Sequence, residues 1–297
     1  MPQWHEEETM GFKDILVALD SAPAARGRIE LAAALAERFG AHLIGLHAAL
    51  GAEAPRRHGY FDYFDHSLLD PLYREYREKI EAEAERARAL FEEIASRHGV
   101  SAEWRTASGY PSEVTALNGR YVDLIVLGQL DPDDPQAMLF RPLPEEVALG
   151  VGRPILVVPY AGSWKEIGRR VLVGWDASRE ATRAVNDAMP LLAGAQTVTI
   201  LAVDPADGPA DHGAGHGEVP GADIALHLAR HGVRATTEAT VSAGIGAGNA
   251  LLSRASDLEA DLLVMGAYGH SRVRELLLGG ATRTVLESMT LPVLMAH

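Results

Sequence analysis

Apolar residues are distributed along this chain in two textures. Some form short unbroken runs, as in Ile15 to Leu19, Leu124 to Leu127, Ile155 to Val158, Leu262 to Met265 and Val293 to Ala296. Others return every three or four positions through longer polar stretches. Unbroken runs closed by glycine or proline predict strands buried on both faces, and the three-to-four spacing predicts amphipathic helices. Ala24 to Phe39 is of the second kind, with Gly40 as its stop. So is Ser67 to His98, where Leu72, Tyr76, Ile80, Ala84, Ala87, Phe91 and Ile94 make one stripe and Gly99 closes the helix.

The pattern occurs twice. Ile15-Leu-Val-Ala-Leu-Asp20 matches Val171-Leu-Val-Gly-Trp-Asp176, and each is followed by a helical stretch and a second strand, His42 to His47 and Val198 to Val203. Asp123-Leu-Ile-Val-Leu-Gly128 matches Asp261-Leu-Leu-Val-Met-Gly266, and Pro154-Ile-Leu-Val-Val matches Pro292-Val-Leu-Met-Ala. Equivalent positions lie 156 residues apart early (Ile15 and Val171) and 138 late (Asp123 and Asp261), so the first copy carries 18 extra residues in its middle. Strands alternating with helices favour an α/β architecture, a parallel sheet with helices on both faces. At 297 residues the chain holds two such units, expected at 1–160 and 161–297, each long enough for a core of its own. In open sheets of this type ligands sit beyond the carboxyl ends of the strands where the strand order reverses, which brings Asp176 and Gly266 toward one crevice.

The last stretch, Asp261 to His297, carries the candidate chemistry. Its strand stops at Gly266, Gly269 follows, and Gly279-Gly280-Ala281-Thr282 leads into a helix. The glycines permit positive φ and close backbone approach, and the first N–H groups of the helix suit an anion such as phosphate. The helix is expected to start near Thr282, which either caps it or donates to a ligand.

The spacing Gly266-x2-Gly269-x9-Gly279 resembles the nucleotide-binding signature of the universal stress protein (UspA-like) family. The resemblance covers nearly the whole chain in both copies. It implies two tandem Rossmann-like domains of the adenine nucleotide alpha hydrolase type, each an open five-stranded parallel sheet, with the two last strands paired so that one chain imitates the family's dimer. It further implies ATP, ADP or AMP as ligand, with Mg accompanying the nucleotide, and a role in the stress response through a protein partner. By the same resemblance Asp176 accepts from the adenine amino group at the end of Val171–Gly174, Val203 and Met265 flank the base, and Gly266, Gly269, Gly279, Gly280, Ala281 and Thr282 hold ribose and phosphates. The family places Ser or Thr directly after the third glycine, where this chain has Gly280. Arg272 and Arg274 lie between the loop's two halves, either reaching the phosphates or facing solvent.

The first copy lacks this loop. Gly128 is followed by Gln129, Leu130 and Asp131, then Asp133 and Asp134, and Arg141-Pro-Leu-Pro144 stands where Gly279 to Thr282 stand in the second copy. Three carboxylates repel phosphate and two prolines remove backbone donors, so this copy is expected not to bind ATP and to serve as scaffold or as a site for another ligand.

Composition narrows the classes. Charged residues make up 23% of the chain and the AVILMFWYC set 47%, as in an ordinary soluble globular protein. A formal charge of −14 argues against nucleic acid or an anionic membrane as partner. Zero cysteines exclude disulfides and thiolate chemistry. The acidic start MPQWHEEETM has no apolar core of a signal, and the longest uncharged stretch, Ala188 to Val203, falls short of a membrane span, so a cytoplasmic location is expected. Further association of two chains into a homodimer stays open.

Other features read as structure. Gly244-Ile-Gly246-Ala-Gly248 lacks the Lys-Ser/Thr of a P-loop and reads as a strand-to-helix turn with Asn249 as cap. His227 and His231 are four apart without the Glu of a zinc peptidase motif, and no third ligand is fixed by spacing for them or for His212 and His216, so no metal site is expected. Tyr60 to Phe64 reads as core or as a partner patch, and Asp204 to Gly221 as a loose insert. Three functions remain: a nucleotide-binding stress protein with no more than weak ATPase activity, a ligand-free interaction protein of the same fold, and an adenylating enzyme, although neither Leu19-Asp-Ser-Ala-Pro-Ala24 nor Trp175-Asp-Ala-Ser-Arg-Glu180 matches the Ser-Gly-Gly-x-Asp-Ser loop of the last.

Overall fold

The computed structural model describes residues 11–20, 22–49, 66–134, 141–205, 220–269 and 280–297, with the side chains of 66–77 and 79 outside the description. The first copy runs β1 (Asp14–Leu19), α1 (Ala25–Phe39), β2 (His42–Ala49), α2 (His66–His98), β3 (Ala102–Ser108), α3 (Pro111–Gly119), β4 (Leu124–Gly128), α4 (Pro144–Val151) and β5 (Ile155–Val158). The second runs β6 (Arg170–Gly174), α5 (Arg179–Asp187), α6 (Met189–Ala193), β7 (Thr197–Val203), α7 (Ala222–Arg230), β8 (Ala235–Thr240), α8 (Ala247–Asp257), β9 (Leu262–Gly266), α9 (Ala281–Ser288) and β10 (Val293–Ala296).

The ten strands form one sheet in the order β3-β2-β1-β4-β5-β10-β9-β6-β7-β8. Within each copy the five strands are parallel, as continuous apolar runs covered on both faces require. The copies join where β5 meets β10 antiparallel, with Val157 opposite Val293, Leu156 opposite Leu294 and Ile155 opposite Met295. The expected pairing of the two last strands is therefore present.

Each copy is long enough for a core of its own, but the packing joins the two. Because the sheet is continuous, its side chains form two apolar layers, one on each face, and each layer draws on both copies. One layer packs Ile29, Phe91 and Ile94 of α1 and α2 with Val185 and Leu192 of α5 and α6, across Val126, Leu156, Leu294 and Val264. The opposite layer packs Val147 and Val151 of α4 with Leu251 of α8 and Val285 of α9, across Val157, Val293 and Met295.

Local signals account for the ends of the elements. Gly40 takes φ 61°, and its N–H reaches the carbonyls of Ala36 and Glu37 as α1 closes. The aspartates that open the repeated strand-four motif tie down the start of strand one. Asp123 Oδ2 accepts from the N–H groups of Lys13 (2.7 Å) and Asp14 (3.1 Å), while the Asp261 carboxylate accepts from Gly168, Arg169 and Arg170 at 2.7 to 3.2 Å. The long helix expected over Ser67–His98 is α2, and Ala87, Phe91 and Ile94 of its stripe are buried. Tyr60 to Phe64, and residues 206–219 of the loose insert, lie outside the described residues.

A shared sheet and shared cores should unfold together. Variants keeping only Trp104, in the first copy, or only Trp175, in the second, are expected to give coincident urea transitions by fluorescence. Leu294 is fully buried at the junction, and Leu294→Ala is expected to lower both by about 2–5 kcal/mol. Two separated transitions would show instead that the copies are independent.

Candidate functional site

In the second copy the chain leaves β6 through Trp175 and turns at once. Asp176 Oδ1 accepts from the Ser178 N–H at 3.0 Å, Ala177 adopts φ 60°, and Ser178 caps α5 by accepting the Ala181 N–H at 3.1 Å. The Asp-x-Ser order thus supplies an Asx turn and an N-cap in three residues. The start of α5 then lies across the end of β9. A Cβ added to Gly266 would stand 2.6 Å from the Ala181 nitrogen, and one on Gly269 would stand 3.2 Å from Glu180 Oε2 and 3.3 Å from Ser178 Oγ. Gly266 is therefore demanded by helix packing, whatever else approaches it. Glu180 is buried and its carboxylate pairs with the Nε of the exposed Arg179.

The remaining candidates occupy the rest of the rim. Sheet order sets the ends of β9, β6 and β7 side by side, which brings Gly266, Gly174 and Val203 together. Gly174 lies beneath α8, where an added Cβ would be 3.1 Å from Leu251. Met265 is buried in the layer under α8 and α9, and Val203 packs half-buried against that layer. Gly280 is the N-cap of α9 at φ −59°, ψ 161°, with no side chain capping the helix there. The first N–H groups of α9 consequently have no intrahelical partner. Ala281 opens the helix half-buried. Thr282 does not cap it, contrary to one expectation: it is buried, and its Oγ1 accepts from the Tyr268 N–H at 3.1 Å, pinning the loop after β9 to the helix. Arg272, Arg274 and Gly279 lie outside the described residues.

The matching crevice of the first copy is differently filled. Asp20 makes the same turn, with Oδ1 accepting from the Ala22 N–H at 2.9 Å. Its other oxygen accepts from Arg28 Nη2 at 2.8 Å, and Arg28 Nε donates to the Ala18 carbonyl at 2.9 Å. Arg28 reaches so far over the end of β4 that a Cβ on Gly128 would sit 2.3 Å from Nη1. Arg141 lies 3.7 Å from Asp20 and pairs with Asp134. Asp20, Arg28, Gln129, Asp134, Arg141 and Tyr160 line what is left of the cleft. Of the expected run Asp131, Asp133 and Asp134, the last is paired with Arg141, and Asp20 beside it is paired with Arg28. Burial alone would raise the pKa of Asp20, but Arg28 and then Arg141 overcome it and hold the carboxyl below its usual 3.8. His47 takes the position of Val203, stacked on Trp104 at 6.0 Å, and burial pushes its imidazole below the ordinary range.

Two copies of an open five-stranded parallel sheet, each with an Asp turn after its first strand and a glycine at the end of its fourth, are now established. A model of the universal stress protein family matches residues 11–159 and 168–297. The chain belongs to that family. A universal stress protein from Archaeoglobus fulgidus resembles it in structure with a TM-score of 0.70, over 95% of each chain at 17% identity. A functionally unknown protein from Pseudomonas aeruginosa follows with a TM-score of 0.52, covering 96% of this chain and 92% of that one at 16% identity. At such identities these likenesses speak of fold. A universal stress protein of a Synechocystis strain is 47% identical over 45 residues, 15% of this chain and 16% of that protein, so the match spans about a sixth of the relative's length.

Beyond the two universal stress protein crevices lie the other motifs singled out in the sequence. Gly244 to Gly248 is the turn from β8 into α8, but Gly246 is the N-cap, and Asn249 donates to the Ile245 carbonyl at 2.9 Å from inside the helix. Gly248 lets α8 lie on α9, since its Cβ would be 2.8 Å from the Ala281 oxygen. The rings of His227 and His231 are 4.7 Å apart, and among the described residues no three His, Asp or Glu side chains are grouped to hold a metal. No described helix is long and apolar enough to cross a membrane.

Sequence reading missed Arg28, Ser178 and Glu180. Arg28 had a visible signal, as the lone charge on the apolar face made by Ala25, Ile29, Ala32 and Leu35. Glu180 had none, because its burial depends on a loop far along the chain.

Arg28→Met should leave Asp20 buried with only Arg141, 3.7 Å away, as cationic neighbour, costing about 3 kcal/mol near neutral pH. The sign with pH follows. The pair's contribution is complete above pH 3.8 and is lost as pH falls through the lower folded value, whereas burial in the variant raises the Asp20 pKa. The stability gap between wild type and variant should therefore shrink in acid, and adding Asp20→Asn should restore much of the loss at pH 7. Chemical denaturation at several pH values checks this; a gap constant with pH would assign the loss to packing.

Proposed function

We propose that the second copy binds an adenine nucleotide, ATP or AMP, between Asp176 and the start of α9, and that occupied and empty states present different surfaces to a protein partner in the stress response. The observation that carries the reading is the contrast between the crevices. Where Arg28 crosses the first, the equivalent helix position in the second is Ala184, and among the described residues no buried guanidinium spans the space. The N–H groups at Gly280, Ala281 and Thr282 match the phosphates in charge and direction. Asp176, whose carboxylate oxygens can each accept more than one hydrogen bond, matches the exocyclic amine of adenine. Val203 offers an apolar wall for the base, where the first copy has His47. Mg, where present, arrives with the nucleotide and offsets phosphate charge. The first copy, bridged by its own guanidinium groups, serves as scaffold.

The proposal is one of binding. Turnover would further need a placed water and a base held beside the phosphates. A second reading, a ligand-free interaction protein, draws on Glu180, whose buried carboxylate lies against Gly269 and adds negative charge beside the phosphate loop.

Mass spectrometry of small molecules released from protein purified without added nucleotide tests the two. Adenine nucleotide retained at a substantial fraction of the protein, with a rise in melting temperature on adding ATP, ADP or AMP, supports the first reading. Gly280→Ser provides the second arm. The backbone at Gly280 lies in a region open to any residue, so the hydroxyl should add a few tenths of a kcal/mol as N-cap. As a further donor to phosphate it should tighten ATP binding roughly tenfold. Retention of no nucleotide, together with no thermal response of either protein, leaves the interaction reading.

A further inference from the structure

The C-terminal end of α9 receives something from the other copy. Helices leave the carbonyls of their last turn without intrahelical donors, and many close that end with a left-handed residue. In the first copy α4 ends on such a residue, Gly152 at φ 71°. In the second, Met289 follows α9 with φ −62° and ψ 138°, extended backbone that returns no N–H. Instead the side-chain amide of Gln129, in the loop after β4, donates from Nε2 to the carbonyls of Leu286 (2.9 Å) and Glu287 (3.3 Å). Gln129 is 6% exposed and held at its other end, since Oε1 accepts from the Tyr160 N–H at 3.4 Å and its own N–H donates to the Val158 carbonyl. The position equivalent to Gln129 in the second copy is Ala267, which has no amide to offer α4; the end of α4 instead receives Arg183 of α5, whose Nη2 donates to the Gly152 carbonyl at 2.6 Å.

We propose that Gln129 is a positioning residue for the second copy's ligand site: it caps α9 across the junction and so fixes the helix whose opposite end, at Gly280 to Thr282, forms the phosphate cradle. The claim about ligand rests on the nucleotide reading above; the cap itself does not. α9 spans only Ala281–Ser288, and in so short a helix fraying at one end reaches the other within two turns. Its start is held by the Thr282–Tyr268 hydrogen bond and by the close approach of Gly248. Its finish is held by Gln129. The loop that lost the nucleotide signature in the first copy thereby gains a structural task in the second.

The test compares wild type with Gln129→Met, which keeps the volume and removes the donors, and Gln129→Lys, which restores a donor to the helix end. Amide hydrogen exchange of α9 in nucleotide-free protein is expected to speed up about fivefold in Gln129→Met, with α4 unchanged, and to return toward wild type in Gln129→Lys. Titration with ATP and with adenosine is expected to show about fivefold weaker ATP binding in Gln129→Met and unaltered adenosine binding. Unchanged α9 exchange overturns the cap. Faster exchange with unchanged ATP binding, or equal losses for ATP and adenosine, overturns the positioning role. Should wild type bind neither molecule, the nucleotide reading and the positioning role fall together, and the exchange arm still decides the cap.

Discussion

The antiparallel ladder between β5 and β10 is the constraint on which the rest of the structure depends. Edge strands are open to pairing with other chains, and a parallel sheet of five strands would expose its β5-type edge. Joining the two such edges inside one chain removes both and leaves the half-polar β3 and β8 at the outside, where every residue is partly or fully exposed. Once Leu156 and Leu294 face each other, the layers above and below the sheet can no longer be divided between the copies. That is why two repeats, each large enough to fold alone, behave in the structure as one body with two shared cores.

Such sharing changes what divergence can do. A repeat whose core is held by its neighbour can lose a ligand without losing its fold, provided the emptied space is filled. In the first copy Arg28 and Arg141 occupy the corresponding space as a network of two guanidinium groups and two carboxylates. A buried pair of this kind adds little net stability compared with apolar packing, because desolvation offsets most of the attraction, yet removing one partner is costly. The network is therefore better understood as a plug that cannot be half withdrawn than as a source of stability.

Much of the fold was legible because both strands and helices announce themselves by period. The runs at Ile15, Leu124, Ile155, Leu262 and Val293 needed only length and their glycine or proline boundaries, and the internal repeat fixed their pairing into units. β3 and β8 were not locatable in the same way: Ala102–Ser108 and Ala235–Thr240 lie at the sheet's outer edges, where half-polar composition satisfies one neighbour and solvent. In the site, Asp176 and the glycines were visible, but the Asp turn and the packing purpose of Gly266 were not. Gly266 answers first to the backbone of α5, a contact made across 85 residues of chain between Ala181 and Gly266 that no local spacing encodes. Thr282 was placed correctly as an element at the helix start and wrongly as its cap, because the competing acceptor role toward Tyr268 depends on how the loop after β9 folds back.

The same point bears on how a duplicated protein divides labour. If the first copy were only a remnant, its loop after β4 would be free to drift in composition, since nothing local depends on it. The structure ties that loop down at its first residue, through the Gln129 backbone to β5 and through its amide to α9, while Asp131, Asp134 and Arg141 line the crevice. One segment thus serves two surfaces: one side lines the first copy's crevice, the other caps a helix belonging to its twin. Asymmetry between the copies is then a difference in where contacts are made: the first copy ties its own crevice with arginines and reaches across the junction of β5 and β10 with Gln129.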